Sequence, residues 1–146
     1  MSLEAGASSY EQIDTLKIKE QFKTINDNLD LFKADSNIAK IKSITIYNHV
    51  RKAYKTFLRE KGSVSKELNY TRLQLDDLSS DVENKSLDEQ ELSQFFEQEE
   101  KAVVVIKETM DYYQQRMTTQ MKIFDELNPA IEQLADSIKT IHKIEK

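Results

Sequence analysis

With no cysteine anywhere in its 146 residues, this chain has no disulfide, no thiol nucleophile and no thiolate metal site. That absence leaves the compartment open, because reducing and oxidising surroundings both tolerate a cysteine-free protein. Tryptophan is also missing, and the turn-formers are down to Gly6, Gly62 and Pro129. So little turn chemistry leaves room for two or three connections, which points to a few long helices rather than a sheet. No stretch approaches the roughly 18 consecutive apolar residues that cross a bilayer. The opening MSLEAGASSY carries neither the basic nor the apolar segment of a secretion signal. Two readings follow: a cytoplasmic protein, or a mature chain whose leader has been exchanged for a start codon and a short stub. In either case residues 1–8 are expected to form a flexible tether.

What the chain does have is a seven-residue apolar repeat. From Leu92 to Ile141 it holds its phase through Phe96, Val103, Ile106, Met110, Tyr113, Met117, Phe124, Leu127, Ile131, Leu134 and Ile138, with Glu99 and Gln120 as its polar members. Steps alternating between three and four place one stripe along one side of a helix, and a stripe of that kind is buried against another helix. A charged fraction of 32% beside 38% hydrophobic residues fits the same class.

Two more helices follow from phase and punctuation. A first is expected over about 9–33, capped at Ser8 or Ser9, with Ile18, Phe22, Ile25, Leu29 and Phe32 on its seam. A second is expected over 37–83, capped by Ser36 or Asn37, with Tyr47, Val50, Tyr54, Phe57, Lys61, Val64, Leu68, Thr71, Leu75, Leu78 and Val82 on its seam. Gly62 weakens this helix without shifting its phase. Ser86 followed by Glu89 reads as a capping box opening a third helix over 87–144, with a kink or break near Pro129. The fold class is therefore all-α, an elongated antiparallel three-helix bundle or long helical hairpin, with 9–146 as a single helical domain. If the hairpin turns near residue 85, position n on helix 2 faces about 171 minus n on helix 3. That register implies a rod of about 70 Å. The early part of helix 2 adds Ile38, Ile41, Ile44 and Ile46 to its stripe, so the rod is expected to be three helices thick at one end and two at the other.

Catalytic machinery does not emerge from these residues. His49 and His142 are the two histidines, no Glu-x-x-His pair of the di-metal bundles occurs, and no phosphate loop, nucleophile elbow or zinc spacing is present. The acidic turn at Asp81–Asn84 lacks the glycine and the closing glutamate of a calcium loop. The tyrosines and methionines sit on or beside the seams, where they read as core. The expectation is accordingly no enzyme, no cofactor and no metal, and no small-molecule ligand.

Charge is polarised along the sequence. Residues 37–63 hold seven Lys and Arg against one Glu, whereas residues 64–100 hold three against eleven acids. Lys40, Lys42, Arg51, Lys52, Lys55 and Arg59 thus form a candidate basic face, either for an anionic partner or as a solvated helix surface beside Glu20, Asp27 and Asp30. A net charge of −5 and the seam placement of the aromatics argue against nucleic acid. In Val103-Val104-Val105-Ile106, Val104 and Val105 are apolar off the seam. They are expected to be covered by residues 1–9 or by a partner or second copy, the alternative being an ordinary exposed pair.

Residues 95–113, FFEQEEKAVVVIKETMDYY, and 124–138, FDELNPAIEQLADSI, resemble a group of uncharacterised coiled-coil-like lipoproteins of Bacteroidetes-type bacteria. The resemblance covers about the C-terminal half. It implies an N-terminal lipid anchor to the cell envelope and supplies no catalytic residue, and this chain has no cysteine to match the family's lipobox. The function expected is a non-catalytic structural or protein-interaction module, which the resemblance implies is the ectodomain of a cell-envelope lipoprotein. The alternatives are a cytoplasmic coiled-coil adaptor or homodimer, and peripheral binding to anionic membrane through the basic face.

Overall fold

A computed structural model describes residues 3–39, 41–85 and 87–145, with backbone alone at 36, 39, 142, 144 and 145. The described residues are all helix and turn, without a strand among them. Their helices are α1 (Leu3–Glu11), α2 (Thr15–Phe32), α3 (Ser36–Ala39), α4 (Lys42–Glu83) and α5 (Glu89–Glu145).

Aspartates start three of these helices. Asp14 Oδ1 accepts the Lys17 amide at 3.0 Å, Asp35 Oδ1 accepts the Asn37 amide at 2.9 Å, and Asp88 Oδ1 accepts the Glu91 amide at 2.8 Å. Each carboxylate satisfies a donor that the first helical turn leaves without a partner. The Asp88 carboxyl is held below its usual value, first by the Glu91 backbone amide, while the Glu91 carboxyl is raised by its hydrogen bond to Asp88. The expected caps are therefore corrected: Ser8 and Ser9 lie inside α1, and Asp88 opens α5. The helix expected over 37–83 is the short α3, capped by Asp35 in place of Ser36 or Asn37, followed by α4 from Lys42. Ser86 lies outside the described residues. Just before it, Lys85 takes a left-handed φ of 54°, which ends α4 at the cost of about 1 kcal/mol for a residue bearing a Cβ.

The single helix expected over 9–33 is two helices, broken at residues 12–14. The segment expected as a tether forms the body of α1, with Leu3, Ala7 and Tyr10 buried. α4 runs unbroken through Gly62, and α5 runs unbroken through Pro129.

By its contacts the chain gathers into two compact units, Met1–Ile13 with Glu60–Gln114 and Asp14–Arg59 with Gln115–Lys146. In the first unit α1 lies on α4 and α5. The Gly6 backbone sits over Lys107, Met110 and Asp111, where an added methyl would meet Lys107 Cγ at 3.5 Å. Arg72 of α4 ties down both ends of α1. Its Nε and Nη2 donate to Glu4 Oε1 and Oε2, each at 2.9 Å, and Nη2 also donates to Glu11 Oε1 at 3.1 Å. Val64, Leu68, Leu78, Ile106 and Met110 fill the core of this unit. Phe96, a seam position, remains 52% exposed, and Leu92 is half-buried. A stripe marks the side a helix can bury; here it continues past the level where α1 supplies a third surface.

In the second unit α2 buries Ile18, Gln21, Ile25, Asn28 and Phe32. The expected seam members Phe22 and Leu29 are half-buried, and Gln21 and Asn28 take the inner positions. The reason lies in the tyrosines of α4. Tyr54 donates its hydroxyl to Gln21 Oε1 at 2.6 Å, and Tyr47 donates to Asn128 Oδ1 at 2.8 Å. Asn28 Nδ2 donates to the Tyr47 oxygen and to Glu132 Oε1, both at 3.1 Å. A fully buried tyrosine needs a partner for its hydroxyl, and the inward polar residues supply one. The ring of Tyr47 also lies on Phe124, with centroids 6.2 Å apart, a pair that satisfies the 171-minus-n relation.

Candidate interaction surfaces

Each unit has an open groove between two of its helices. In the second unit, a groove of about 480 Å³ runs between α2 and α4. Phe32 and Ile44 form its buried floor, and Lys33, Asn48 and Arg51 stand along it. Arg51 is fixed there because its Nε donates to Asn48 Oδ1 at 2.8 Å. Lys33 is engaged with Asp30 at 3.4 Å.

The structure places the basic set as follows. Arg51 lines this groove. Lys42, Lys52, Lys55 and Arg59 are exposed along α4 and do not line it, and Lys40 lies outside the described residues. His49 is exposed, and the side chain of His142 is outside the described set. Among the described residues no group of three His, Asp or Glu is placed to hold a metal ion, and no helix is long and apolar enough to cross a membrane.

The first unit presents the more apolar groove, of about 450 Å³, between α4 and α5. It exists because α1 takes one side of the helix pair. α1 meets Lys107, Asp111 and Arg72, each one residue beyond the buried Ile106, Met110 and Thr71. The groove is lined by Val105, Thr109 and Tyr70, each one residue before those same core positions. One residue is about 100° around a helix, so the two sets fall on opposite sides. Small residues, Ser63, Ala102 and Thr109, keep the groove open, and Tyr70 and Val105 are each 63% exposed along it.

Val104 and Val105 thus have different positions. Val105 lines the groove, whereas Val104, 48% exposed, does not. The N-terminal segment packs on the side of α5 opposite Val105; Val104 lies on the Lys107 and Asp111 side, one turn before the level that Gly6 covers, and both valines remain exposed. Tyr70 was legible in the sequence as an aromatic one residue off the seam, the same signal that singled out Val105. Gln21 and Asn28 carried no such signal, because the apolar stripe runs through Phe22 and Leu29 beside them.

Burial sets the proton affinities of the inner tyrosines. Tyr47 is pushed up to about 12 by burial, with the Asn28 hydrogen bond acting against it and the nearby Glu132 adding to it. Tyr54 is raised by burial and then by Asp125 and Tyr47. Tyr10 is pushed up to about 12 by burial and then by Tyr113. These values describe neutral, structural hydroxyls at physiological pH. Comparison of the chain with protein-family models, curated proteins and solved structures gives no match.

Proposed function

We propose that this chain is a non-catalytic structural or protein-interaction module, and that it docks through the groove between α4 and α5. The observation that carries this reading is the pair Tyr70 and Val105, exposed to the same high degree along a groove whose buried floor is Val64, Thr71 and Ile106. Isolated exposed apolar residues are ordinary, but a contiguous strip set in a concave surface is a docking surface. Within the units, the reading takes the helices as antiparallel neighbours in a three-helix arrangement. The pairs Gln21 with Tyr54, Asn28 with Tyr47, and Tyr47 with Phe124 support it. Placement in the cell envelope rests on the resemblance of residues 95–113 and 124–138 and forms part of the proposal.

Site-specific photocrosslinking tests it. A benzophenone amino acid at Val105 is expected to give a protein adduct on irradiation in cells, and the same group at Lys52 on the basic face is expected to give none. An adduct at Lys52 alone would move the docking surface to the basic face. Absence of adducts at both positions would overturn the reading.

A further inference from the structure

The α4–α5 groove has walls of opposite charge, and this singles out one occupant. Glu67 stands on the α4 wall and Lys101 on the α5 wall. Both are exposed, and Lys101 makes a long 3.6 Å solvent-exposed contact with Glu97, which leaves it able to turn toward another acid. Tyr70 and Val105 project beside them, and Tyr112 follows Val105 seven residues on, extending the strip along the same side of α5.

We infer that the groove is occupied by the same groove of a second copy of this chain, about a two-fold axis that runs along it. Closed homodimers use one self-complementary patch on both partners, and two in-plane axes could bring this patch onto itself. An axis along the groove sets the α4 wall of one copy against the α5 wall of the other. Each Glu67 then faces a Lys101, twice per dimer. An axis across the groove would set α4 on α4 and bring like walls together, Glu67 toward Glu67, in a molecule already carrying −5 per chain. Charge complementarity therefore selects the first axis. The small residues Ser63, Ala102 and Thr109 leave room for Tyr70 and Val105 of the opposite copy to enter the groove. This inference rests on the groove being a docking surface and adds the identity of what docks.

Sedimentation equilibrium on the purified chain, with a charge-reversal cycle, tests it. The wild-type chain is expected to pass from monomer to dimer with rising concentration. Glu67→Lys alone and Lys101→Glu alone are each expected to weaken the dimer about fivefold or more, since each reversal changes two contacts. The double variant Glu67→Lys with Lys101→Glu restores both facing pairs and is expected to return the dimer to near wild-type strength. Both residues lie exposed in helix, so the variant monomers are expected to retain full helicity by circular dichroism, which checks folding separately.

A wild-type chain that stays monomeric at all concentrations overturns the inference. So does a dimer indifferent to both reversals, or one that the double variant fails to restore. A monomer that still yields a foreign adduct at Val105 refutes self-association and leaves the docking surface in place. A monomer without any adduct at Val105 refutes both.

Discussion

Gln21 and Asn28 sit one heptad apart on α2, and each meets the hydroxyl of a fully buried tyrosine of α4. Removing one partner of such a pair leaves a polar atom in apolar surroundings, which costs more than the hydrogen bond itself contributes. Gln21→Leu is expected to destabilise the protein by about 1–3 kcal/mol, because the Tyr54 hydroxyl then has no acceptor. Adding Tyr54→Phe is expected to recover most of that loss. Urea denaturation of the two single variants and the double variant measures the coupling; additive losses would show that the pair does not interact. The sequence made the stripe of α2 visible but assigned its inner positions to Phe22 and Leu29. Hydrophobicity ranks phenylalanine above glutamine at any buried site, and the ranking inverts only when the tyrosine opposite is known.

At nine residues, α1 is too short to be helical alone, so its structure depends on where it docks. Arg72, 31% exposed, holds it at both ends through Glu4 and Glu11. The Glu4 carboxyl is lowered from its ordinary value chiefly by the hydrogen bond from Arg72. A lowered carboxylate contributes to docking above its unfolded value, and the contribution disappears as pH falls through the lowered value. Arg72→Ala is expected to abolish hydrogen-exchange protection across α1 and leave the α2 amides protected. The wild-type chain is expected to lose α1 protection first as it is acidified below the ordinary carboxylate range. Retained protection in the variant would assign docking to Leu3, Ala7 and Tyr10 alone. Read as sequence, α1 has the signature of a tether, since Ala, Gly and Ser dominate it. In fact small residues are what allow its backbone to approach Lys107 and Met110 closely. The groove opposite was illegible for the same reason, because it is defined by the side α1 leaves open.

Across the whole molecule, both units bury neutral tyrosines, Tyr10 in one and Tyr47 and Tyr54 in the other. All three are raised above the ordinary value of 10.0, Tyr10 and Tyr47 to about 12. In the unfolded chain these phenols ionise near pH 10, while in the folded chain they stay protonated. Their contribution is therefore complete below pH 10 and is lost as pH rises through about 12. Melting temperature is expected to fall steeply over that interval, and less steeply in Tyr47→Phe, whose slope rather than level is the readout. Equal slopes would place the alkaline loss elsewhere. At this scale the all-helical class was plain from the heptads and the scarcity of glycine and proline. The division into two units was not, because a repeat that keeps one phase from Leu92 to Ile141 contains no mark of where contacts regroup.

The spacing of the buried polar pairs bears on how the chain finds its place. Leucine-like stripes repeat every seven residues, so α2 could slide one heptad along α4 and still cover apolar surface. After such a slide Gln21 would meet Tyr47 in place of Asn28, while Asn28 would run past the start of α4 and Tyr54 past the start of α2, each losing its present partner. Two polar rungs one repeat apart thus behave as the teeth of a key. A helix that collapses quickly and indiscriminately onto its neighbour is held loosely until both teeth engage, and they engage together at a single setting.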